Sequence, residues 1–379
     1  MSAARPCILQ LLPALGDGGV ERSTVEMAQY LGQRGIPNLV ASAGGALVPA
    51  LEAAGSRHAT IPVGSKSPLT MILAARAVAR LIDAQGIDIV HARSRAPAWV
   101  GLLACRLAKR PARFLTTFHG VYSHGNALKR FYNSAMLRAP VVIANSQFIR
   151  HHIHDIYGYP DSQIIVAPRG IDPALFDPAR ISTEARASAR ATLGATDDAP
   201  LLIMVSRITG WKGHAVFVDA MARCKRRDLR AAFVGEGNAD EIARVKEQIH
   251  RLGLSERITL TGSRRDVPTL LAAADLSISS SIRPEAFGRG AIETQAMETP
   301  IIGTDHGGSR ETILPGETGW LVPPGDADAM AAAIDDAVSD PARLAAMGRR
   351  GRQHVLASFT TQHMLDMEFS AYTRLLEQR

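Results

Sequence analysis

Residues 276–299 read LSISSSIRPEAFGRGAIETQAMET, and this stretch decides which fold we expect. Its first part, Leu276–Ser280, is a short apolar run typical of a buried strand, and its last part has the pattern of a helix. Between them lies a loop in which Gly288 and Gly290 mark the start of the expected helix. Ligands of open parallel sheets bind beyond the carboxyl ends of the strands, so this order of elements indicates a binding edge.

The same alternation of strand and helix patterns runs along nearly the whole chain. The other expected strands are Ile8–Leu12, Leu39–Ser42, Ile87–His91, Arg113–Phe118, Val141–Asn145, Leu201–Ser206, Ala231–Gly235, Ile258–Thr261 and Ile301–Gly303. This order predicts parallel sheets that are covered by helices on both faces. Residues 166–178 hold three prolines and resemble a linker, and the chain from Asp326 onward has a helical pattern. We therefore expect two doubly wound α/β domains, 1–172 and 173–360, and a helix at 361–379 that packs back toward the first domain.

Composition excludes several classes of protein. The 379 residues are 46% hydrophobic and 21% charged, which is typical of a folded α/β protein and not of a disordered one. No apolar run reaches the roughly 18 residues of a membrane-spanning helix, and the first residues lack the features of a signal peptide. The three cysteines are scattered, so they predict neither a disulfide framework nor a metal site. We expect a cytoplasmic protein without a bound metal.

Charge is distributed unevenly. The formal net charge is +7, yet residues 89–154 contain ten Lys or Arg residues and no acidic residue. This basic stretch predicts an anionic partner: a membrane surface, a phosphorylated acceptor or nucleic acid. Within it, residues 125–138 resemble a helix that lies in a membrane interface. The residues that give this impression are Leu128, Lys129, Arg130, Phe131, Met136, Leu137 and Arg138.

Two loops offer groups that bind phosphate. Gly18 and Gly19 follow the first strand and open a helix, where free amides attract anions. The pattern is not a dinucleotide fingerprint, because Glu21 stands where a glycine is needed. Arg207 and Lys212 follow the first strand of the second domain, and two cations suit a diphosphate without a metal ion. The alternatives are a plain turn for the glycines and solvated surface charges for the cations.

The loop and helix after Leu276–Ser280 add two carboxylates. Glu293 is expected one turn inside the helix, where its oxygens could accept hydrogen bonds from both hydroxyls of a vicinal diol. Glu285 precedes the helix and could accept from hydroxyls of a sugar ring. Taken singly, each glutamate could equally be a helix cap or an ordinary helical residue.

The combination of these residues resembles a known family. Glu285 and Glu293, separated by seven residues and preceded by Arg207 and Lys212, resemble the Glu-x7-Glu signature of retaining glycosyltransferases, most of all glycosyltransferase family 4. Other matching segments are Gly18-Gly19, 117–120 (TFHG), 267–275, Gly307-Gly308-x-x-Glu311 and 316–322. The resemblance implies the GT-B fold, in which two Rossmann-like domains face each other across a cleft. It also implies metal-independent, retaining transfer of a hexose from a nucleotide sugar, such as UDP- or GDP-hexose, to an envelope glycan or glycolipid such as a lipopolysaccharide core. The donor is then a substrate, and no cofactor is expected.

The resemblance assigns roles to individual residues. Arg207 and Lys212 would hold the donor diphosphate, Glu293 the ribose, and Glu285 the donor sugar, with help from the backbone of Phe287, Gly288 and Arg289. His119 matches the histidine of the family that contacts the donor sugar, and Gly18 and Gly19 would approach the diphosphate. Gly235, Gly262 and Arg264 follow strands of the second domain and are candidates for the base pocket. Catalysis would therefore rest on His119, Glu285, Arg207 and Lys212.

Two other functions remain open from sequence. A non-hydrolysing sugar-nucleotide epimerase shares the fold, although its carboxylate and histidine pairs are not found here. A basic nucleic-acid-binding protein would account for the charge of the first half, but no nucleic-acid module is found. Asp326-Ala327-Asp328 has the form of a metal-binding D-x-D, yet its position favours a helix cap. Membrane contact would place the protein on the inner face of the cytoplasmic membrane.

Overall fold

The computed structural model describes residues 5–16, 18–195 and 199–377. The chain forms two compact units, which are here called the first unit (Met1–Pro168 with Gln362–Arg379) and the second unit (Arg169–Thr361). The first unit thus ends at Pro168, four residues before the expected boundary at 172. Ile171 already belongs to the second unit, where it pairs with Thr360. No helix among the described residues is long and apolar enough to cross a membrane.

The first unit contains a seven-stranded parallel sheet with the order β3-β2-β1-β4-β5-β6-β7. Its strands are β1 (Ile8–Leu11), β2 (Asn38–Ser42), β3 (Arg57–Thr60), β4 (Ile89–Ala92), β5 (Arg113–Phe118), β6 (Val141–Ala144) and β7 (Ile164–Val166). The sequence did not predict β3 and β7. Both lie at edges of the sheet: β3 is a polar, partly exposed RHAT segment, and β7 has only three residues, the last of which we had assigned to the linker.

Helices cover this sheet. They are α1 (Gly19–Gln33), α2 (Val48–Ala53), α3 (Pro68–Gln85), α4 (Arg95–Leu107), α5 (Ala127–Asn133), α6 (Gln147–Tyr157) and, from the end of the chain, α15 (Thr361–Glu377). The Ser146 hydroxyl accepts a hydrogen bond from the Ile149 amide at the start of α6, and Gly158 ends that helix in the left-handed conformation. Met364, Leu365, Tyr372 and other side chains of α15 pack into the core of the first unit.

The second unit contains a six-stranded parallel sheet with the order β10-β9-β8-β11-β12-β13. Its strands are β8 (Leu201–Val205), β9 (Arg230–Val234), β10 (Ile258–Gly262), β11 (Leu276–Ser279), β12 (Ile301–Thr304) and β13 (Gly319–Val322). The sequence missed β13, whose first residue is a glycine. A side chain on Gly319 would come within 2.1 Å of the Ile301 carbonyl oxygen, so close pairing with β12 requires the residue that weakens a strand pattern.

The helices of the second unit are α7 (Thr183–Thr192), α8 (His214–Arg223), α9 (Ala239–Arg251), α10 (Val267–Ala273), α11 (Arg289–Ala296), α12 (Ser309–Thr312), α13 (Ala327–Ala337) and α14 (Pro341–Ser358). Asp326 caps α13, because its Oδ1 accepts a hydrogen bond of 2.9 Å from the Ala329 amide. This observation agrees with the helix-cap interpretation of the D-x-D segment.

The strand orders place two switch points, at which the direction of strand addition reverses. In the first unit this point lies between β1 and β4, and in the second unit it lies between β8 and β11. Loops that leave neighbouring strands in opposite directions open a crevice at such a point. The loop with Arg207 and Lys212 leaves β8, and the loop with Glu285 leaves β11. The fold therefore brings these two loops to one crevice of the second unit.

Candidate functional site

The loop after β8 presents the two predicted cations. It contains a short 3-10 helix, Gly210–Lys212, and reaches α8 through Gly213, whose φ is +77°. A side chain on Gly213 would come within 1.9 Å of the Ser280 carbonyl oxygen, so the loop needs glycine to lie against the end of β11. This close contact fixes the backbone of Lys212 beside the loop that carries Glu285.

Lys212 and Glu285 form an ion pair across the crevice. The distance from Lys212 Nζ to Glu285 Oε1 is 2.8 Å, and the side chains are 17% and 15% exposed. Lys212 Nζ also lies 4.5 Å from the centre of the Trp211 ring, an attractive cation–π contact. The structure thus brings the predicted cation and the predicted acid into direct contact, although they lie 73 positions apart in sequence.

Arg207, by contrast, points its charge toward solvent. Its side chain is exposed. Among the described ranges, no ion pair includes Arg207, whereas Lys212 is paired. The loop after β8 therefore carries one paired cation, Lys212, and one cation, Arg207, that has no ion pair with any residue the structure describes. A diphosphate in this loop would find the guanidinium of Arg207 ready to bind.

At the start of α11, backbone groups are available to a ligand, whereas the aromatic side chain of Phe287 is not. Phe287 is 3% exposed, and its ring packs at 5.5 Å from the ring of Phe359 in the core. Gly288 caps the helix with φ +83°. The Gly308 amide donates to the Glu285 carbonyl oxygen at 2.9 Å, and a side chain on Gly308 would overlap Phe287. The role predicted for Phe287 is thus restricted to its backbone, because its side chain belongs to the core.

Arg289 and Glu293 interact one turn apart on α11. The distance from Arg289 Nε to Glu293 Oε1 is 2.9 Å, with side chains 34% and 19% exposed. The pair is accessible enough for a ligand to replace one partner. Glu293 lies one turn inside the helix, as its position in the sequence predicts.

Gly235 and Arg264 follow strands β9 and β10, and Gly262 is the last residue of β10. The Gly235 amide donates to the Gly262 carbonyl oxygen at 2.9 Å, and a side chain on Gly235 would overlap the Ser206 carbonyl. Gly235 and Gly262 therefore let the loop after β8 pack closely against the carboxyl ends of β9 and β10. Arg264 forms two hydrogen bonds with the Asp266 carboxylate, at 2.8 and 2.6 Å, so its guanidinium already has a local partner.

Buried histidine and hydroxyl groups lie beneath this crevice. Burial, followed by the charge of Lys212, lowers the pKa of His214 to about 4. Ser281 donates from Oγ to Glu285 Oε1 at 2.5 Å, and Ser280 donates toward the Lys212 and Gly213 carbonyl oxygens at 3.1 and 2.9 Å. Sequence reasoning missed both serines, and the only signal was the run of three serines at 279–281.

The remaining predicted residues belong to the first unit. Gly18 precedes α1 in an extended conformation, and a side chain there would meet the flexible end of the Glu21 side chain; Asp17 lies outside the described residues. His119 follows β5, and its carbonyl oxygen accepts a hydrogen bond of 3.2 Å from Asn145 Nδ2. Gly18, Gly19 and His119 therefore lie at the carboxyl edge of the first sheet.

The basic stretch 89–154 is less uniform than its sequence suggests. Arg93 is 1% exposed and pairs with Glu368 of α15, while Arg110 pairs with Asp88 and Arg150 with Asp161. The interfacial helix that we expected at 125–138 is also shorter. It consists of α5 and a 3-10 helix, Ser134–Leu137, in which Met136 is fully buried. Because Met136 fills the core, it takes no part in an exposed apolar face.

No group of three or more His, Cys, Asp or Glu side chains suited to a metal ion is found within the described ranges. The histidines at 151, 152 and 154 do not converge. His152 instead packs against the rings of His124 and Tyr157, at 5.4 and 5.8 Å.

Comparison with known proteins adds independent findings. A family model described as Glycosyltransferase Family 4 matches residues 17–175, and one described as Glycosyl transferases group 1 matches residues 185–354. A GDP-mannose-dependent alpha-(1-6)-phosphatidylinositol monomannoside mannosyltransferase of Mycolicibacterium smegmatis is 29% identical over 308 residues, which cover 77% of this chain and 78% of that protein.

Solved structures resemble the whole chain. A glycosyltransferase from Rickettsia africae is 37% identical, with a TM-score of 0.91 and coverage of 100% of both chains. Anabaena Alr3699/HepE in complex with UDP is 25% identical, with a TM-score of 0.84 and coverage of 98% of this chain and 100% of that one. The two sheets described above therefore form the GT-B fold.

Proposed function

This chain belongs to glycosyltransferase family 4, and on that premise we propose that it transfers a hexose from a nucleotide sugar to an envelope glycan or glycolipid. We further propose that transfer retains the anomeric configuration and needs no metal ion. The observation that carries this proposal is the contact of Lys212 with Glu285 at the switch point of the second sheet. A ligand there meets a cation, a carboxylate and a helix start within one crevice.

Arg207 and Lys212 are proposed to bind the donor diphosphate. Two cations in one loop can neutralise the charge that develops on the leaving nucleoside diphosphate, which is the main electrostatic requirement of this reaction. Lys212 would exchange the Glu285 carboxylate for a phosphate oxygen, while Arg207 has no ion pair to give up among the described residues. With these two cations at the diphosphate, we propose that the reaction needs no metal ion.

Glu285 and Glu293 are proposed to recognise the two sugars of the donor. The Glu285 carboxylate would accept hydrogen bonds from the transferred hexose, and Glu293 from the ribose hydroxyls. In the retaining reaction that the family resemblance implies, the bond from the anomeric carbon to the phosphate oxygen breaks, and the acceptor oxygen bonds on the same face. The acceptor proton then passes to the leaving phosphate. Neither glutamate is assigned as a nucleophile.

The first unit is proposed to contribute His119, Gly18 and Gly19 to the reaction. Asn145 holds the backbone of His119 at the end of β5, so the imidazole is attached to a fixed point of the sheet. We propose that His119 contacts the donor sugar and that the two glycines approach the diphosphate. A His119→Ala variant should lose turnover while it keeps its affinity for the nucleoside diphosphate.

We propose that the acceptor is reached at an anionic membrane surface on the cytoplasmic side. Leu128 and Phe131 of α5 are 76% and 59% exposed, and the neighbouring Lys129 and Arg130 are exposed as well. Apolar side chains beside cations suit the interface of a membrane with anionic lipids. The mannosyltransferase relative is named for a phosphatidylinositol mannoside, a lipid-linked acceptor, which supports a glycolipid here too.

Vesicle sedimentation tests the membrane proposal. Leu128→Ser/Phe131→Ser should bind vesicles that contain anionic lipid more weakly than the natural chain, and Leu175→Ser is the matched control because Leu175 is 58% exposed in the second unit. Unchanged binding of the double variant would contradict membrane contact through α5. If replacement of Lys129 and Arg130 abolishes activity toward a phosphorylated saccharide but leaves vesicle binding intact, these two cations contact the acceptor instead.

Thermal-shift measurements with UDP, GDP and ADP sugars test the function itself. A bound donor stabilises the folded protein, by about 2.7 kcal/mol at a concentration one hundred times Kd. Product analysis by NMR should then show the donor's anomeric configuration, with activity unchanged by a chelator. The absence of any stabilisation by nucleotide sugars would refute the proposal. Conversion of the donor without an acceptor would favour the epimerase, and salt-dependent binding of nucleic acid alone would favour the nucleic-acid-binding protein.

A further inference from the structure

The two serines that follow β11 bond to opposite loops of the crevice. Ser280 is 0% exposed and Ser281 is 2% exposed, so both hydroxyls are buried and need partners. The Ser280 hydroxyl is directed at the Lys212 and Gly213 carbonyl oxygens, and the Ser281 hydroxyl bonds the Glu285 carboxylate. Neighbouring residues of an extended chain point in opposite directions, which lets one short segment reach both loops.

We propose that Ser280 and Ser281 are positioning residues that set Lys212 and Glu285 for the donor. Ser280 holds the backbone of the cation, and Ser281 holds the carboxylate. This inference rests on the proposed function, because it concerns how the donor is received. Neither serine touches the donor itself.

The bonding pattern at Glu285 explains why Ser281 matters once the donor arrives. The Lys212 ammonium and the Ser281 hydroxyl both bond to Oε1 of Glu285, so neither of these bonds occupies Oε2. When a diphosphate draws Lys212 away, Ser281 still holds Oε1. The carboxylate therefore stays in place for the transferred sugar and does not follow the cation.

The segment that carries the two serines is itself anchored. Thr304, which is fully buried at the end of β12, donates from Oγ1 to the Ser281 carbonyl oxygen at 2.9 Å. Ile282 donates from its amide to the Trp211 carbonyl oxygen at 2.8 Å, which ties the next residue to the cation loop. The serines thus have a fixed backbone from which their hydroxyls can orient other groups.

Two alanine variants separate the two roles. Ser281→Ala should weaken binding of the nucleotide sugar and lower kcat by roughly ten- to hundredfold, the range for a lost hydrogen bond to a charged group. Its Kd for the free nucleoside diphosphate should stay within about twofold, because Glu285 is assigned to the sugar and not to the phosphates. Ser280→Ala should weaken binding of both ligands, since the backbone of Lys212 loses its support. Calorimetry with the diphosphate and the nucleotide sugar measures both.

Two further variants show whether the effect is one of positioning. Ser56→Ala removes a buried hydroxyl that bonds a carbonyl in the first unit, and it measures the general effect of such a loss on stability. Ser281→Thr keeps the hydroxyl and should restore most of the turnover. The inference is wrong if Ser281→Ala changes donor affinity and kcat no more than Ser56→Ala does. It is also wrong if Ser281→Ala lowers the affinities for the diphosphate and for the nucleotide sugar by the same factor. Failure of the natural chain to bind any nucleotide sugar would instead refute the proposed function.

Discussion

The two units each contain a notable ion pair, and the pairs differ in how completely they are enclosed. In the first unit, Arg93 and Glu368 are 0% and 2% exposed in their side chains. In the second unit, Lys212 and Glu285 are 17% and 15% exposed. The first pair connects the residue that follows β4 to a helix that packs into the core, and the second connects two loops at a switch point. The same chemistry thus serves two purposes, and access to ligand distinguishes them.

The choice of cation matches this difference. The Arg93 guanidinium bonds both carboxylate oxygens of Glu368, at 3.3 and 2.8 Å, and its Nε bonds Gln10 Oε1 at 2.8 Å. A planar guanidinium can form such a forked set of hydrogen bonds, and here it forms them with protein groups in the interior. The Lys212 ammonium is a compact charge on a flexible stem, so it can leave one anion for another. A closed pair stabilises the fold, whereas an open pair can receive a ligand.

Glu368→Ala is expected to have the largest effect, because it leaves the guanidinium of Arg93 buried without its counter-charge. Breaking one side of a buried pair costs about 3–5 kcal/mol of unfolding free energy. Urea unfolding measures the loss. The double variant Arg93→Met/Glu368→Leu should recover much of it, since no charge is then buried alone. If Glu368→Ala lowers the free energy of unfolding by less than about 1 kcal/mol, the Arg93–Glu368 pair contributes no more than a surface ion pair. The two ion pairs would then not differ as described.

Glu285→Gln should separate activity from stability in the opposite way. Turnover should fall about 100- to 1000-fold, as for other groups that orient a transition state, while the unfolding free energy changes by about 1 kcal/mol or less because the pair is partly hydrated. Steady-state kinetics and urea unfolding of one preparation measure both quantities. An unaffected rate would contradict the assignment of Glu285 to the donor sugar.

Burial, together with a nearby cation, lowers the pKa of one histidine in each unit, which gives a pH test. Burial and then Arg93 lower the pKa of His91 well below its ordinary value, and burial and then Lys212 lower that of His214 to about 4. Unfolded histidines bind protons below about pH 6.5, so these two groups favour the fold above that pH. The free energy of unfolding should therefore fall by up to about 1.4 kcal/mol per pH unit and per histidine as the pH drops from 6.5 toward 4.

A bound nucleoside diphosphate should affect only one of these histidines. Its charge would neutralise Lys212 and raise the pKa of His214, whereas His91 lies in the enclosed region of the first unit. NMR titration of the two imidazoles with and without the diphosphate measures the shifts. Equal shifts at both histidines, or none at His214, would argue against the open pair as the site of the phosphates.

Exchanging the two cations should have the smallest effect. Arg93→Lys keeps the charge but cannot keep both bonds to Glu368 and the bond to Gln10, so it should cost about 1–3 kcal/mol of unfolding free energy. Lys212→Arg should leave stability nearly unchanged and raise KM for the donor by a few fold, because a forked pair with Glu285 is harder to open. If Lys212→Arg is instead the more destabilising change, the two regions do not differ as proposed.

Much of the fold follows from local pattern, and the site follows from the fold. The strands of the sheet interiors were predicted because their apolar runs are continuous, whereas β3, β7 and β13 were missed at edges where that pattern fails. Arg207, Lys212 and Glu285 were found because their loops follow predicted strands. Their contact needs the strand order, which places β8 beside β11.

Other features have no local signal. The partner of Arg93 lies 275 residues away in sequence, so the arginine counted as one more cation of a basic surface. Ser280 and Ser281 were overlooked because serines are common in the loops that follow strands. Only the folded structure shows which groups their hydroxyls contact. The apolar face at 125–138 was overestimated, because sequence period alone does not show that Met136 enters the core.

The return of α15 to the first unit has a consequence for synthesis on the ribosome. Residues 169–361 form the second unit without interruption, so this unit can complete its fold as soon as it emerges. The first unit emerges earlier but lacks Glu368 and the apolar side chains of α15. At about 5–20 residues per second, the nascent chain waits roughly 10–40 seconds for them. The unit made first is therefore finished last, and until then the apolar surface that α15 covers stays exposed to water.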